Sequence, residues 1–276
     1  MADKVKKKRL DVYLYENGIV SSREKARILI MEGKVYVNNQ KEDKPGTMIK
    51  EDAKVEIKGE TLKYVSRGGL KLEKAGEVFN ISFEGKCSAD IGSSTGGFTD
   101  YMLQNGAKRV YAIDSGTNQL DYKLRVDERV VTLENTNARY LTRDMIDDVP
   151  LDIVTIDVSF ISLKKIIPPA IKILKDNGTI MMLIKPQFEA GRDKVEKNGV
   201  VRDKTIHADV IKDVVSFCIS QNLTCLGLDY SPIKGPAGNI EFLLYVSKSA
   251  DDANCNILID ESYIKKVVDD AHDVLN

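Results

Sequence analysis

The sequence predicts an α/β domain with a doubly wound, mostly parallel sheet and an antiparallel final strand, preceded by a small α+β module. Three observations carry this. After residue 66 the chain alternates strand-like apolar runs with helical stretches, the pattern of a parallel sheet covered by helices. A glycine-rich turn directly follows the first of those strands, and two apolar runs near the end are separated by a connection rich in Pro and Gly. Ahead of them, two short segments of helical period are followed by short alternating ones. With 276 residues, 42% hydrophobic and 30% charged, the chain can build one large core or two modest ones. Its composition lies outside those of disordered, collagen-like and coiled-coil chains.

In the front module, Leu10, Tyr13, Leu14 and Ile19 fall at helical spacing. Ser21 and Glu24 have capping-box separation and open a second helix, which runs through Ala26, Ile28, Leu29, Ile30 and Met31 and stops at Gly33. Val35–Val37, a polar turn at Asn38-Asn39, and an alternating stretch over Val55–Lys58 read as strands. Lys4, Lys6, Lys7, Lys8 and Arg9 form a basic arm, expected to be a disordered solubilising tail with phosphate contact as the lesser option.

In the second module, Ser88–Ile91 is the first strand, then Gly92–Phe98 turns into a helix through Leu103. Arg109–Ile113 is a second strand ending on Asp114, Asp152–Ile161 a third and Thr179–Ile184 a fourth. Thr224–Tyr230 and Glu241–Val246 make the final pair, split by Pro232, Gly235, Pro236 and Gly238. The stretch Ala190–Lys204 is long and polar, either a lid or a structural loop. Ile257, Ile259, Tyr263, Ile264, Val267, Val268 and Ala271 suggest a terminal helix packed on the domain.

A formal net charge of -1 conceals an uneven distribution. Residues 1–75 carry 18 Lys+Arg against 12 Asp+Glu, and residues 249–276 carry seven acids against Lys265 and Lys266. A basic front module on an otherwise neutral protein suits a nucleic-acid substrate. Cys87, Cys218, Cys225 and Cys255 are widely spaced, which argues for free thiols rather than a zinc site or disulfide framework. No apolar run reaches the ~18–20 residues of a membrane span, and the basic start lacks a secretory signal's apolar stretch. The expected compartment is therefore cytoplasmic, without stable membrane association.

The glycine-rich turn, Gly92-Ser93-Ser94-Thr95-Gly96-Gly97-Phe98, admits several readings. Its spacing is not that of a dinucleotide fingerprint, and no P-loop Lys-Ser/Thr follows. It does match Gly-x-Ser-x-Gly, with Ser94 as nucleophile. Such an elbow needs a histidine, and the one candidate, His207, sits at a helix start beyond a long loop. The turn also follows the first strand of its domain, where several strands normally precede an elbow. The remaining reading joins Asp90, the turn and Asp114, against a strand-end turn residue and a helix N-cap as the plain alternatives. This set resembles the S-adenosyl-L-methionine pocket of Rossmann-like methyltransferases. On that resemblance, Asp90, Gly92, Ser93, Ser94, Gly96 and Gly97 approach the methionine portion, and Asp114 accepts the ribose hydroxyls.

Two further resemblances cover nearly the whole chain. Arg9-Leu10-Asp11, Ser22-Arg23, Ala26, Ile30, Glu32-Gly33-Lys34-Val35 and Val37-Asn38 resemble the RNA-binding domain named after ribosomal protein S-four. That resemblance implies RNA contacts by Arg9, Arg23, Lys25, Arg27 and Lys34, mostly to phosphate. Ser66-Arg67-Gly68-Gly69-x-Lys71-Leu72, Asp90–Asp100, Asp157–Ser162, Lys185–Glu189 and Gly238–Phe242 resemble the TlyA family, often labelled haemolysin A. Its members are FtsJ-like ribosomal RNA 2′-O-methyltransferases. The resemblance implies a Lys-Asp-Lys-Glu tetrad on Lys71, Asp157, Lys185 and Glu241, with ribosomal RNA or ribosomal subunits as partner; no obligatory protein partner is evident, and with two histidines and scattered cysteines no metal is expected. Arg67 and Arg192 are further candidates for RNA contact. The chain departs from some members at the linker, with Leu62-Lys63-Tyr64-Val65 in place of Arg-x-Trp-Val.

The expected layout is an arm over 1–8, an RNA-binding domain over 9–66, a methyltransferase domain over 67–248 and an acidic helical extension over 249–276. The expected activity is 2′-O-methylation of a cytidine ribose, with Lys185 receiving the proton or stabilising the alkoxide and the carboxylates orienting. The rival readings are a membrane-active haemolysin and a non-catalytic RNA-binding or ribosome-assembly protein.

Overall fold

The computed structural model describes residues 7–20, 22–31, 33–58, 63–249 and 259–275, and the chain divides into two units, 1–63 and 64–276. The first contains β1 (Lys7–Arg9), α1 (Leu10–Glu16), α2 (Arg23–Met31), β2 (Val35–Val37), β3 (Gln40–Glu42), β4 (Met48–Lys50) and β5 (Val55–Ile57). Strand β2 pairs with β3 and β5, and β1 with β4, all antiparallel. Leu10 and Leu14 on α1 and Ala26 and Ile30 on α2 pack with Val35 and Ile49 into one small core. Ser21 lies outside the described residues, so the capping box is not described. The side chain of Ser22 accepts the N–H of Lys25 at 3.1 Å, an ordinary N-cap bond. Gly33 follows the helix in the left-handed region, with φ at +67°. The basic arm requires correction in part. Lys7 and Lys8 belong to strand β1, and the Lys8 ammonium meets Glu16 at 2.7 Å, while Lys4 and Lys6 lie outside the described residues.

The second unit runs α3 (Gly68–Val78), β6 (Cys87–Ile91), α4 (Gly97–Gln104), β7 (Arg109–Ile113), α5 (Tyr122–Arg125), β8 (Val130–Leu133) and β9 (Leu151–Ile156). It continues through α6 (Ile167–Ile173), β10 (Leu174–Ile184), α7 (Pro186–Glu189), α8 (Lys204–Ser220), β11 (Thr224–Tyr230), β12 (Phe242–Ser247) and α9 (Glu261–Leu275). Its seven-stranded sheet has the order β11-β12-β10-β9-β6-β7-β8. Pairs from β10 to β8 are parallel, and β12 alone runs against its neighbours. This is the expected fold class, with two differences of detail. The third strand ends at Ile156 rather than Ile161: its pairing with both neighbours stops there, and the chain then turns through Phe160 at a left-handed φ of +63°. Strand β8, at the sheet edge, was not expected.

Both faces of the sheet are covered, so its central strands are buried on both sides and β10 ends in an unbroken apolar run over 180–184. Ile180, Met182 and Ile184 of β10 face a core with α6, α8 and α9, while Met181 and Leu183 face a second core with α3 and α4. The terminal helix packs through Ile264, Val267, Val268 and Ala271.

The chain leaves β6 to one side for β7 and later returns to the other side for β9. The order therefore reverses between β6 and β9, and the crevice outside their carboxyl ends is where such sheets bind ligands. The Gly92 turn, Asp114, Asp157 and Lys185 each follow their strand and so reach that end. Glu241 reaches it because β12 is reversed and Glu241 precedes it.

Candidate active site

The four residues Lys71, Asp157, Lys185 and Glu241, spread over 170 positions, form one chain of alternating charge. The Nζ atom of Lys71, on α3, lies 2.6 Å from Oε2 of Glu241 and 3.7 Å from Oδ2 of Asp157. The Nζ atom of Lys185 is 2.5 Å from Oδ1 of Asp157, a charge contact without hydrogen-bond alignment, and donates to Oγ of Ser159 at 3.1 Å. Lys71 and Lys185 are buried, and Glu241 is 1% exposed. Burial works to lower the pKa of Lys71, but the carboxylates of Asp157 and Glu241 outweigh it and the net direction is upward. Lys71 therefore stays an ammonium that bridges two carboxylates. Gly235 closes against Glu241, since a Cβ there would come within 2.6 Å of its Oε1.

The tetrad lines a cavity of about 230 Å³ together with Asp90, Gly92, Ser93, Ser94, Gly97 and Ser159. Asp90 is fully buried. Its Oδ2 accepts the N–H and the hydroxyl of Thr99 at 3.0 and 2.7 Å, whereas Oδ1 is buried with no partner among the described residues. Burial pushes its pKa up to about 7 against those Thr99 bonds, and the negative Asp157 adds to the rise. Gly92 has φ +86°, and a Cβ there would meet the carbonyl oxygen of Asp157 at 2.5 Å. Only glycine allows β6 and β9 to leave the sheet so close together. Gly96 lines neither this cavity nor the adjoining cleft. It is the left-handed N-cap of α4, packed where a Cβ would strike Leu120 and Leu124.

A wider cleft of about 770 Å³ shares Gly92, Ser94, Asp157 and Ser159 with the cavity and extends past Asp114, Asn137 and Ala138 to Phe160 and Phe188. Asp114 accepts the N–H groups of Ser94 at 2.8 Å and Gly116 at 2.7 Å, and no helix starts there. Those bonds aim the carboxylate while each oxygen keeps lone-pair capacity.

Several residues here carried no sequence signal of their own. Phe160 is 91% exposed at the cleft, 5.0 Å from the Phe188 ring. Glu189, on α7, holds the turn that bears it, accepting the Ser162 hydroxyl and the Leu163 N–H at 2.7 Å each. Ser159, like Phe160 and Glu189, falls within the family-like stretches without a residue-level signal for its role. His207 is buried against His272, with its ring nitrogens engaged there and at the Val201 carbonyl, so it activates no serine. The Ala190–Lys204 stretch is anchored at its end, where Val200 and Val201 are buried and Asn239 bonds Val201 and Gly199. The side chain of Arg192 lies outside the described residues.

In the first unit, Arg9 and Arg23 converge on the buried carboxylate of Asp11, with Nε of Arg9 at 3.0 Å and an Arg23 nitrogen at 3.1 Å. The Arg9 bond and then the Arg23 bond hold the Asp11 pKa down at about 2, against burial. Both guanidiniums remain about half exposed, and Lys25 and Arg27 are exposed on α2. Lys34 is half-buried after α2, and Arg67 is exposed at the N-cap of α3 in the second unit. Tyr64 of the linker is buried in the second unit, where a Cβ on Gly69 would strike its ring.

Comparison with known proteins agrees with this architecture. The family described as FtsJ-like methyltransferase matches residues 64–248, and the S4 domain matches residues 8–55. YqxC of Bacillus subtilis, whose name carries an unconfirmed rRNA methyltransferase assignment, is 52% identical over 271 residues, 98% of this chain and 96% of its own. The Mycobacterium tuberculosis protein named 16S/23S rRNA (cytidine-2′-O)-methyltransferase TlyA is 38% identical over 246 residues, 89% of this chain and 91% of its own. A solved structure from Streptococcus thermophilus, provisionally described as a hemolysin, superposes with a TM-score of 0.76 at 47% identity over 98% of both chains.

Proposed function

This chain belongs to the FtsJ-like methyltransferase family, and from that premise we propose that it methylates the 2′-hydroxyl of a cytidine ribose in ribosomal RNA, using S-adenosyl-L-methionine. The observation that carries the proposal is the buried Lys185–Asp157–Lys71–Glu241 chain at the cavity that holds the Gly92 turn.

The residues fit the cofactor on two counts. Oδ1 of Asp90, without a partner among the described residues, suits a cationic or hydrogen-bond-donating group, and Gly92 and Ser94 line both the cavity and the adjoining cleft, so the two spaces meet at the turn. Ser93, Ser94 and Gly97 would line the methionine side, and Asp114 would take the ribose hydroxyls in the wider cleft. When bound, the cofactor supplies a methyl group already activated by its sulfonium.

A ribose hydroxyl is a weak nucleophile, so the protein must align it and manage its proton. Alignment is worth roughly 7–11 kcal/mol in well-oriented reactions, and a positioned base about 10²–10⁴-fold. Lys185 is placed for the proton: its Nζ, fixed by Asp157 and Ser159, receives it as the neutral amine or stabilises the alkoxide as the ammonium. Lys71, kept charged between Asp157 and Glu241, holds both carboxylates in place.

Arg9 and Arg23 on Asp11, with Lys25, Arg27 and Lys34, suit phosphate contacts made by the S4 module; Arg67 would add one from the second unit. The exposed ring of Phe160 suits stacking on a base taken out of its helix. Among the described residues no helix is long and apolar enough to cross a membrane.

The test is incubation with methyl-labelled cofactor and ribosomal subunits or naked ribosomal RNA. Label should appear on a ribose, and Lys185→Ala should abolish it while leaving cofactor affinity within a few-fold. Label on protein, or on no form of RNA, overturns the proposal.

A further inference from the structure

Two buried imidazoles lie behind the site and play no part in the proton transfer. His207, on α8, is fully buried and His272, on α9, is 8% exposed. Nδ1 of His207 is 3.0 Å from Nε2 of His272, and Nε2 of His207 is 3.0 Å from the carbonyl oxygen of Val201. A carbonyl only accepts, so Nε2 of His207 bears the hydrogen. Burial lowers the His207 pKa to about 4, which keeps the ring neutral. Its Nδ1 is then an acceptor, and His272 must donate from Nε2.

The bonds continue towards the tetrad. The N–H of Val201 donates to Oδ1 of Asn239 at 2.9 Å, and Nδ2 of Asn239 donates to the Gly199 carbonyl at 2.9 Å. The N–H of Gly235 donates to the Asn239 carbonyl at 2.9 Å, and that of Ser231 to the Glu241 carbonyl at 2.8 Å. The His207 ring also packs edge-on against Phe242, the residue after Glu241, with centroids 5.4 Å apart.

We propose that His272, acting through His207, is a positioning residue for Glu241. It fixes one orientation of the His207 ring, which supports Phe242 directly and the 231–241 loop through Val201 and Asn239. Helix α9 lies beyond the matched family region, so membership alone gives it no such role. The inference rests on the transferase reading above.

The test compares full-length wild type, His272→Leu and His272→Gln in methyl transfer to ribosomal subunits. Leucine keeps bulk without the donor; glutamine sets an N–H where the imidazole Nε2–H stood. A 1 Å misplacement costs ~100-fold in rate; a partly relaxed loop should lower kcat at least about tenfold in the leucine variant. KM for cofactor and RNA should stay within a few-fold, and the glutamine variant should recover kcat to within a few-fold of wild type. Equal kcat in the two variants overturns the inference. Nitrogen NMR of histidine-labelled wild type gives a second reading that no folding defect can obscure: both rings should be neutral Nε2–H tautomers at pH 8, and an Nδ1–H on His207 overturns it. A wild type without transferase activity overturns the functional reading, whereas an active wild type matched by His272→Leu overturns only this inference.

Discussion

Replacing Asp90 by asparagine should make the catalytic unit more stable and less able to bind its cofactor. The native pKa of Asp90 is about 7 against an ordinary value of 3.8, chiefly through burial. The folded state therefore keeps this proton up to about pH 7, while the unfolded chain loses it near 3.8. The resulting stability is complete below pH 3.8 and is lost as the pH rises through 7. A gap of about three pK units at ~1.36 kcal/mol each puts the cost of an ionised Asp90 at up to about 4 kcal/mol. Asparagine does not titrate, and its carbonyl can accept the same two Thr99 bonds. The stability of Asp90→Asn relative to wild type should therefore grow by about 2–4 kcal/mol between pH 4 and 7.5 and then level off. Urea unfolding followed by circular dichroism across that range measures it directly. Titration with S-adenosyl-L-methionine gives the functional half: wild-type affinity should tighten towards pH 7, and the variant should bind more than tenfold weaker. A stability difference independent of pH, or a variant less stable than wild type at pH 8, refutes the reasoning.

Three other outcomes follow from the same structure. His207 titrates in the opposite sense over the same window. Its folded pKa of about 4 lies below the ordinary 6.5, so its stability is present above pH 6.5 and about 3 kcal/mol of it is lost by pH 4. Wild-type unfolding energies should vary little from pH 4 to 7, and His207→Gln should fall as pH rises. Phe160→Gly should relieve the strained φ of +63°, raising stability by about 1 kcal/mol. It should weaken RNA binding about tenfold, the order expected for one stacked base, with cofactor affinity unchanged in calorimetry. Gly92→Ala, which brings a Cβ within 2.5 Å of the Asp157 carbonyl at φ +86°, should cost at least about 2 kcal/mol and abolish labelling, read by thermal melts and the methyl-transfer assay.

Legibility in the sequence followed burial. Strands β9 and β10 are covered on both faces and mostly apolar, and β6 is marked by the glycine-rich turn that follows it. Strands β1, β3 and β4 are as short as β2 and β5 but lack the β-branched pairs that mark those two, being Lys-Lys-Arg, Gln-Lys-Glu and Met-Ile-Lys, and β8 is a half-buried edge strand. The third strand reads too long in the sequence because Val158, Phe160 and Ile161 continue its apolar pattern, while the left-handed turn beyond it leaves no local mark. Lys71 and Glu241 look like surface charges in their own neighbourhoods. Their burial depends on each other across 170 residues, and only the family resemblance pointed to them. Gly96 shows the converse: a helix cap inside the turn cannot be told from its cavity-lining neighbours by sequence. The Asp11 anchor beneath Arg9 and Arg23 was hidden in the same way, as an acid in the first turn of a helix reads as solvent-facing.

The reversed strand β12 also sets when the site can exist during synthesis. Glu241 emerges from the ribosome 170 residues after Lys71, and its strand must slot between β11 and β10 before the carboxylate arrives. Until then the nascent chain carries an inward-facing lysine short of one counter-charge, a state that disfavours closure of the crevice. Assembly of this protein is thus gated by its last strand, and a chain released early should be inert as well as unstable.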